Sequence, residues 1–211
     1  MHDPVNTAIL ARAPIPGTTK TRLIPAIGAR AAARLHRAMV LRTLRTTMQA
    51  KLGGDIVLWA SPTIEHYFFK ALKKYGHICM QQADGDLGIR MQAALLASLP
   101  TPTILVGTDC PSITPAHLQE AATALRNGHD AVFLPAEDGG YGLIGLRSTA
   151  PTALFDSITW GTDTVMASTR QRLKEIGFTW AEPATIWDID KPIDLKRLKE
   201  LDCSFHLPLR E

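Results

Sequence analysis

Several stretches of this chain carry residue types suited to phosphate and metal chemistry. The first is Pro14-Ile15-Pro16-Gly17-Thr18-Thr19-Lys20-Thr21-Arg22, which follows the apolar run Val5–Ala11. Prolines fix φ and reduce the entropy lost when a loop orders. Gly17 lets the backbone approach a ligand closely. Lys20 offers a point charge and Arg22 a planar fork, and both suit phosphate oxygens. It is not a P-loop: Thr19 stands where that motif needs its second glycine, and no helix is expected to start there. The alternative is a rigid turn carrying two solvated cations.

Two further stretches supply carboxylates. In Val106–Leu118, VGTDCPSITPAHL, Asp109 follows an expected buried strand, and Pro111 blocks immediate helix entry. A carboxylate presented there suits Mg²⁺, which takes oxygen ligands; the alternative is an Asp bonding its own turn. Thr114 before Pro115 reads as an N-cap with Pro at the first helical position. In Trp187–Leu195, WDIDKPIDL, an extended chain puts Asp188 and Asp190 on one face and Ile189 on the other. Their Cα atoms would lie about 6.5 Å apart, a span one or two metal ions can bridge. Asp190 has an alternative as N-cap of the next helix, and Asp194 in its first turn reads as structural.

Two glycine-bearing segments complete the set. Asp138-Gly139 in PAEDGGYGLIGL, 135–146, is a hairpin signal that could also shape an acceptor pocket. In QADGDLGIRM, 82–91, Asp86 suits a helix cap, and Gly88 in the first turn is unfavourable by up to about 1 kcal/mol against Ala unless something approaches it closely. Arg90, one turn in, could meet a base or phosphate. Asp109, Asp188 and Asp190 would repel if adjacent, by about 4 kcal/mol for two charges at 4 Å and an effective dielectric of 20; a divalent cation reverses that sign.

Positioning these residues requires alternating elements. Strands are expected at Val5–Ala11, Asp55–Ala60, His77–Gln82, Thr103–Gly107, Asp130–Leu134, Tyr141–Leu146 and Ala184–Asp188. Helices are expected at Ala29–Ala50, Thr63–Tyr75, Leu87–Leu99, Pro115–Arg126, Asp163–Ile176 and Ile193–Leu201, with Thr162 capping the fifth. The first helix carries a stripe of Ala31, Leu35, Ala38, Leu41, Leu44 and Met48, and its arginines fall mostly off that stripe. This alternation argues an α/β layered domain with a mainly parallel sheet, whose sites gather beyond the C-terminal strand ends. Trp59, Trp160, Trp180 and Trp187 read as core or rim packing. The seven histidines are scattered, without a nucleophilic triad.

The bulk numbers fit this frame. With 211 residues, 45% hydrophobic and 20% charged, the simplest division is one domain over residues 1–211. A net charge of +3, spread along the chain, gives no case for nucleic acid. Cys79, Cys110 and Cys203 lack metal-ligand spacing, which fits a reducing cytoplasm. The start MHDPVN lacks the pattern of a signal peptide, and no apolar run approaches the roughly 18 residues of a membrane span.

In this order, ARAPIPGTTKTRL, GDLGIRM, GTDCPSIT, EDGGYGLIGL and WDIDKPIDL resemble a bacterial family with the GT-A, nucleotide-diphospho-sugar transferase fold, usually labelled glycosyltransferases and linked with radical-SAM proteins or arsenosugar synthesis. The layout is also similar to nucleotidyltransferases of the molybdenum-cofactor pathway and to guanylyltransferases acting on phosphoenolpyruvate or phospholactate. The resemblance covers about residues 5–200. It implies a three-layer α/β/α sandwich with a mainly parallel mixed sheet. It implies that Ala11, Arg12, Ala13, Pro14, Gly17, Gly85, Asp86, Arg90 and Thr108 bind the nucleotide, with Lys20 and Arg22 on its phosphates. It implies Asp109, Asp188 and Asp190 on Mg²⁺ or Mn²⁺, and Asp138, Gly139, Gly140 and Tyr141 at the acceptor. Lys20, Arg22 and Asp109 would then be the catalytic set. The chain departs from the pattern with a single Gly17 in its opening loop and one Asp at 107–111 in place of Asp-x-Asp. The expected activity is glycosyl transfer from a nucleotide sugar, with nucleotidyl transfer from an NTP, or nucleotide binding without catalysis, as alternatives. The partners would be that nucleotide and a small-molecule acceptor, with no nucleic acid or membrane; a homo-oligomer stays open.

Overall fold

The computed structural model describes residues 3–201, so Cys203 lies outside the described residues. Seven strands form one mixed sheet: β1 (Val5–Arg12), β2 (Gly53–Ser61), β3 (Ile78–Gln81), β4 (Thr103–Gly107), β5 (Ala131–Pro135), β6 (Tyr141–Leu146) and β7 (Trp180–Ala181). Their order is β3-β2-β1-β4-β6-β5-β7. β3, β2, β1 and β4 run parallel, β6 is antiparallel to both neighbours, and β5 and β7 pair in parallel. The expected α/β fold with a mainly parallel mixed sheet is the one observed.

Between the strands lie α1 (Ile24–Ile27), α2 (Ala29–Ala50), α3 (Tyr67–Lys74), α4 (Leu87–Leu96), α5 (Pro115–Arg126) and α6 (Val165–Glu175), and α7 (Asp194–Leu201) follows. The period-2 alternation of a strand sends its side chains to both faces, so both need cover. Ile9 and Ala11 of β1 pack under α2 and α3, through Val40, Leu44 and Phe69. Ala8 packs on the other face with Met91 and Leu95 of α4. Ile104 and Val106 of β4 meet Leu118 and Leu125 of α5.

Several boundaries differ from expectation. The last strand is not Ala184–Asp188 but Trp180–Ala181; Pro183 has no N–H to continue a ladder, and Ile186 keeps only an isolated bridge to Ala136. The helix expected from Thr63 starts at Tyr67, after the Thr63 hydroxyl accepts from the Glu65 N–H and His66 caps the start. α4 stops at Leu96, ahead of Pro100. α6 begins at Val165; the Thr162 hydroxyl bonds Thr159 and Thr164 instead of capping it. Thr114 does cap α5, in a capping box with His117. On α2, Arg30, Arg34, Arg37 and Arg45 are exposed as the stripe requires, but Met48, 53% exposed, leaves it.

Candidate nucleotide cleft

The site forms where three loops meet beyond the C-terminal ends of β1 and β4. A 3-10 turn, Thr21–Leu23, and α1 follow directly on the first loop, so the expectation that no helix starts there is corrected. Gly17 takes φ +87 with open space where a Cβ would stand, so turn conformation, not close packing, requires glycine there. Lys20 sits in the left-handed region, φ 49 and ψ 44, which a non-glycine residue adopts at a cost of roughly 1–3 kcal/mol unless its surroundings enforce it. The enforcement is visible. The Lys20 Nζ lies 2.9 Å from Asp109 Oδ1 and also donates to the Ile189 carbonyl, with its side chain 5% exposed.

Ile189 is the knot between the loops. Its N–H donates to the Asp109 carbonyl at 2.9 Å, and its side chain is fully buried with Leu23, Leu35 and Leu198. The Ser112 hydroxyl donates to the Trp187 carbonyl at 3.0 Å and accepts from its N–H at 3.1 Å. Burying Ile189 leaves Asp188 and Asp190 facing the cleft on either side of it. Residues 187–190 belong to no strand, so it is these tethers, not a sheet ladder, that fix the alternation. Asp190 pairs with Arg22, while Asp194 accepts from the N–H groups of Asp190 and Lys191 at 3.0 and 2.6 Å. Asp194 is thus structural, and the Asp190 carboxylate is not a cap.

The loops enclose a cleft of about 820 Å³. Arg12, Lys20, Arg22, Gly85, Asp86, Arg90 and Thr108 line it, as do Asp109, Asp138, Gly140, Tyr141, Asp188 and Asp190. Ala11, Ala13 and Pro14 are buried beneath the opening loop instead, and Gly17 and Gly139 lie off the wall. Gly139 holds the β5–β6 turn at φ +89, and the Asp138 Oδ1 accepts from the Gly140 N–H at 2.9 Å. Asp86 spends its carboxylate on the Ile89 N–H at 2.9 Å, capping α4, and the Arg90 Nε donates to the Gly85 carbonyl at 2.9 Å. A Cβ on Gly88 would come 2.8 Å from Trp160 Cζ2, so the close neighbour is an indole from the same cleft wall.

Three cleft residues gave no signal in the sequence. His36 sits on the buried side of α2; its Nε2 is 2.9 Å from the Arg12 carbonyl and its Nδ1 3.9 Å from Asp109. Burial depresses its pKa, against the pull of Asp109. Gln82 lies just past β3 and Trp160 in the turns ahead of α6, both on irregular backbone where no periodicity marks them.

Negative charge gathers at one end. Burial first, then Asp138, raises the Asp188 pKa to about 6. Burial of the Cys110 thiol, with Asp109, Asp188 and Asp138 around it, pushes that thiol far above its ordinary range, so it is inert at neutral pH. Among the described residues, no group of three or more His, Cys, Asp or Glu side chains could hold a metal ion by itself. Asp188 makes no ion pair within 4 Å among them, while Asp109 and Asp190 each face a cation. Such a set fits Mg²⁺, which binds through one or two carboxylates plus substrate phosphates instead of an all-protein cage. A second cleft of about 290 Å³ opens beside the first, sharing Arg22, Asp138, Asp188 and Asp190 with it. No helix among the described residues is long and apolar enough to cross a membrane.

Comparison with known proteins bears on the fold and the family. The chain is similar to a candidate nucleotide-diphospho-sugar transferase from Desulfovibrio desulfuricans G20, at 27% identity and a TM-score of 0.82 over 94% of this chain and 88% of that one. It shares its fold with CMP:2-keto-3-deoxy-manno-octonic acid synthetase in complex with CTP, at 13% identity and TM-score 0.62, over 96% and 99% of the two chains. It also shares the fold of Rv0371C from Mycobacterium tuberculosis H37Rv in complex with manganese, at 16% identity and TM-score 0.56, over 93% and 98%. None of the curated proteins matches the chain. Residues 43–162, more than half of its length, match the family described as "Uncharacterized protein conserved in bacteria (DUF2064)", and the chain belongs to that family.

Proposed function

We propose that this chain is a transferase acting on a nucleotide-activated donor, and that the reaction is glycosyl transfer from a nucleotide sugar to a small-molecule acceptor, within one domain. The observation that carries this reading is the Lys20–Asp109–Ile189 knot, which puts a buried cation and three carboxylates on one cleft. The similarity to the Desulfovibrio protein over nearly the whole chain supports it.

In this reading Lys20 and Arg22 meet the donor's phosphate oxygens and stabilise charge as the leaving phosphate develops it. Lys20 then exchanges part of its contact with Asp109 for phosphate, at little cost in reorganisation because Ile189 still holds its ammonium. Asp109, Asp188 and Asp190 are the residues that would hold Mg²⁺ or Mn²⁺, one or two of them at a time together with the donor's phosphates, and the ion would supply Lewis-acid charge stabilisation. Asp138, Gly140 and Tyr141 face the acceptor. The second cleft is lined by Glu137, Asp138, Asp163, Asp188, Asp190 and Asp194 against Arg22, Lys191 and Arg197. That excess of carboxylates favours a neutral, hydroxyl-bearing acceptor over a phosphorylated one, and so favours glycosyl over nucleotidyl transfer.

Nucleotidyl transfer from an NTP is the second reading, supported by the CTP-bound structure of the same fold. The test is a thermal-shift panel of nucleotide sugars and NTPs, with and without Mg²⁺ or Mn²⁺, followed by product analysis. A native-state ligand at about 100 times its Kd stabilises by about 2.7 kcal/mol. We expect that shift with a nucleotide sugar and metal, and its loss on adding EDTA. Release of a nucleoside diphosphate supports glycosyl transfer, pyrophosphate release supports nucleotidyl transfer, and no shift with any nucleotide overturns both.

A further inference from the structure

The arginines of this chain divide into two groups. Arg22, Arg147, Arg170, Arg172 and Arg197 each face a carboxylate. Arg30, Arg34, Arg37 and Arg45 are exposed on α2, and none of them makes an ion pair among the described residues. α2 contains no Asp or Glu. At these positions the four form one outward row about 22 Å long, with half-exposed Leu41 inside it and Met48 at its end.

α3 widens the row into a face. α2 and α3 cover the same side of the sheet, through Val40 and Leu44 on one helix and Phe68, Phe69 and Leu72 on the other. The Arg37 guanidinium lies 5.9 Å from the centre of the Phe68 ring, where the two helices meet. α3 adds exposed Lys70, Lys73 and Lys74, of which only Lys70 has a carboxylate partner, Glu65, among the described residues. Tyr67 and Tyr75 are 68% and 80% exposed beside them. The four arginines alone exceed the chain's net charge of +3, so the rest of the molecule is net negative. Charge that is spread along the sequence is gathered on one side by the fold.

We propose that the α2–α3 face docks the protein on an anionic lipid surface. Cations held together without counter-charge repel, and an anionic surface relieves that repulsion. α2 lies in one layer with α3 and with α5, whose Gln119 Nε2 donates to the Ala50 carbonyl at 3.2 Å. It therefore does not stand proud, as a helix entering the major groove of a duplex must. A lipid surface is itself flat and demands no match to the arginine spacing. Tyr67, Tyr75 and Met48 suit the headgroup layer, where amphipathic and apolar tips leave water. The apolar side of α2 is committed to the core, so docking is shallow and electrostatic. It needs no membrane-crossing helix, and it departs from the expectation of no membrane partner.

Co-sedimentation of the full chain with vesicles tests this. We expect binding to phosphatidylglycerol–phosphatidylcholine vesicles at about 0.05 M salt and release at about 0.5 M, where the Debye length falls to about 4 Å. Phosphatidylcholine vesicles alone should bind none. One basic residue near an anionic surface changes partitioning about fivefold, so Arg34→Gln with Arg37→Gln should weaken binding about 25-fold. Arg172→Gln with Lys174→Gln removes the same charge from α6, across the sheet and beyond a Debye length, and should change binding less than about threefold. Melting temperatures check both variants; if the first does not fold, Arg30→Gln with Arg45→Gln replaces it. No binding to the anionic vesicles, equal binding to neutral ones, or equal loss in the two variants overturns the proposal. Poly(U) and polyglutamate compete in parallel. Tighter binding of either than of the vesicles, lost with the same α2 arginines, assigns the face to a nucleic acid or an acidic protein and overturns the lipid partner.

Discussion

Lys20 and Arg22 are two residues apart yet differ in kind. The Lys20 side chain is 5% exposed and held by Asp109 and Ile189, whereas that of Arg22 is 68% exposed. A buried, prepositioned cation loses less on binding phosphate than a solvated one that must give up water and rotamer freedom. Lys20→Met should therefore lower affinity for a nucleoside diphosphate by about ten- to a hundredfold, the range for hydrogen bonds to charged groups. Arg22→Ala should cost less than tenfold at physiological salt, and titration calorimetry ranks the two. Asp109→Asn keeps the shape beside Lys20 but removes the charge. It should abolish the metal-dependent part of nucleotide stabilisation, read as equal thermal shifts with and without Mg²⁺.

At the scale of elements, local rules and packing compete within single turns. Gly88→Ala raises the helix propensity of α4 by up to about 1 kcal/mol. The added methyl meets Trp160 at 2.8 Å and the Phe155 carbonyl at 3.2 Å, and overpacking of this kind costs about 1–3 kcal/mol. We expect net destabilisation in urea melts, with a shift in indole fluorescence as Trp160 gives way. Thr114→Ala removes the side chain that accepts from the His117 N–H at 3.3 Å and should cost about 0.5–2 kcal/mol, measured the same way. The first of these was half visible beforehand: Gly88 breaks a propensity rule, and such a break points to a close neighbour without naming it. The second was fully visible, since Thr-Pro at a helix start needs no tertiary contact.

For the molecule as a whole, the antiparallel insertion of β6 between β4 and β5 is what turns the late segments back toward the first loop. Its far edge is tied by Asp130, which bonds Arg147 at 2.8 Å and both the N–H and hydroxyl of Thr179. Arg147 first, then Thr179, lowers the Asp130 pKa from its ordinary 3.8 to about 2. Because the folded value lies below the unfolded one, this stabilisation is present above about pH 4 and is lost as pH falls through about 2. Discounted for the solvent that reaches Arg147, it amounts to about 1–2 kcal/mol. Asp130→Asn should lose that amount at pH 7 and flatten the acid limb of a melting-temperature profile below pH 4.

By itself the sequence determined the kinds of element, their order and the loops that matter. Thr103–Gly107 and Tyr141–Leu146 are strands, and Ala29–Ala50 and Pro115–Arg126 helices, at the expected bounds. Periodicity, caps and prolines are local, and they act within a few residues of where they are written. Only the tertiary structure decided which side chains share the cleft. Lys20 meets Asp109 and Ile189 across 89 and 169 positions, and His36, Gln82 and Trp160 join them with no local mark. It also redirected Asp109 and Asp190 to cations, leaving Asp188 without an ion pair among the described residues and with its pKa raised by burial first and then by Asp138. The reason is physical: ion pairs and burial depend on through-space distance and excluded water, which the sheet order sets and the spacing along the chain does not.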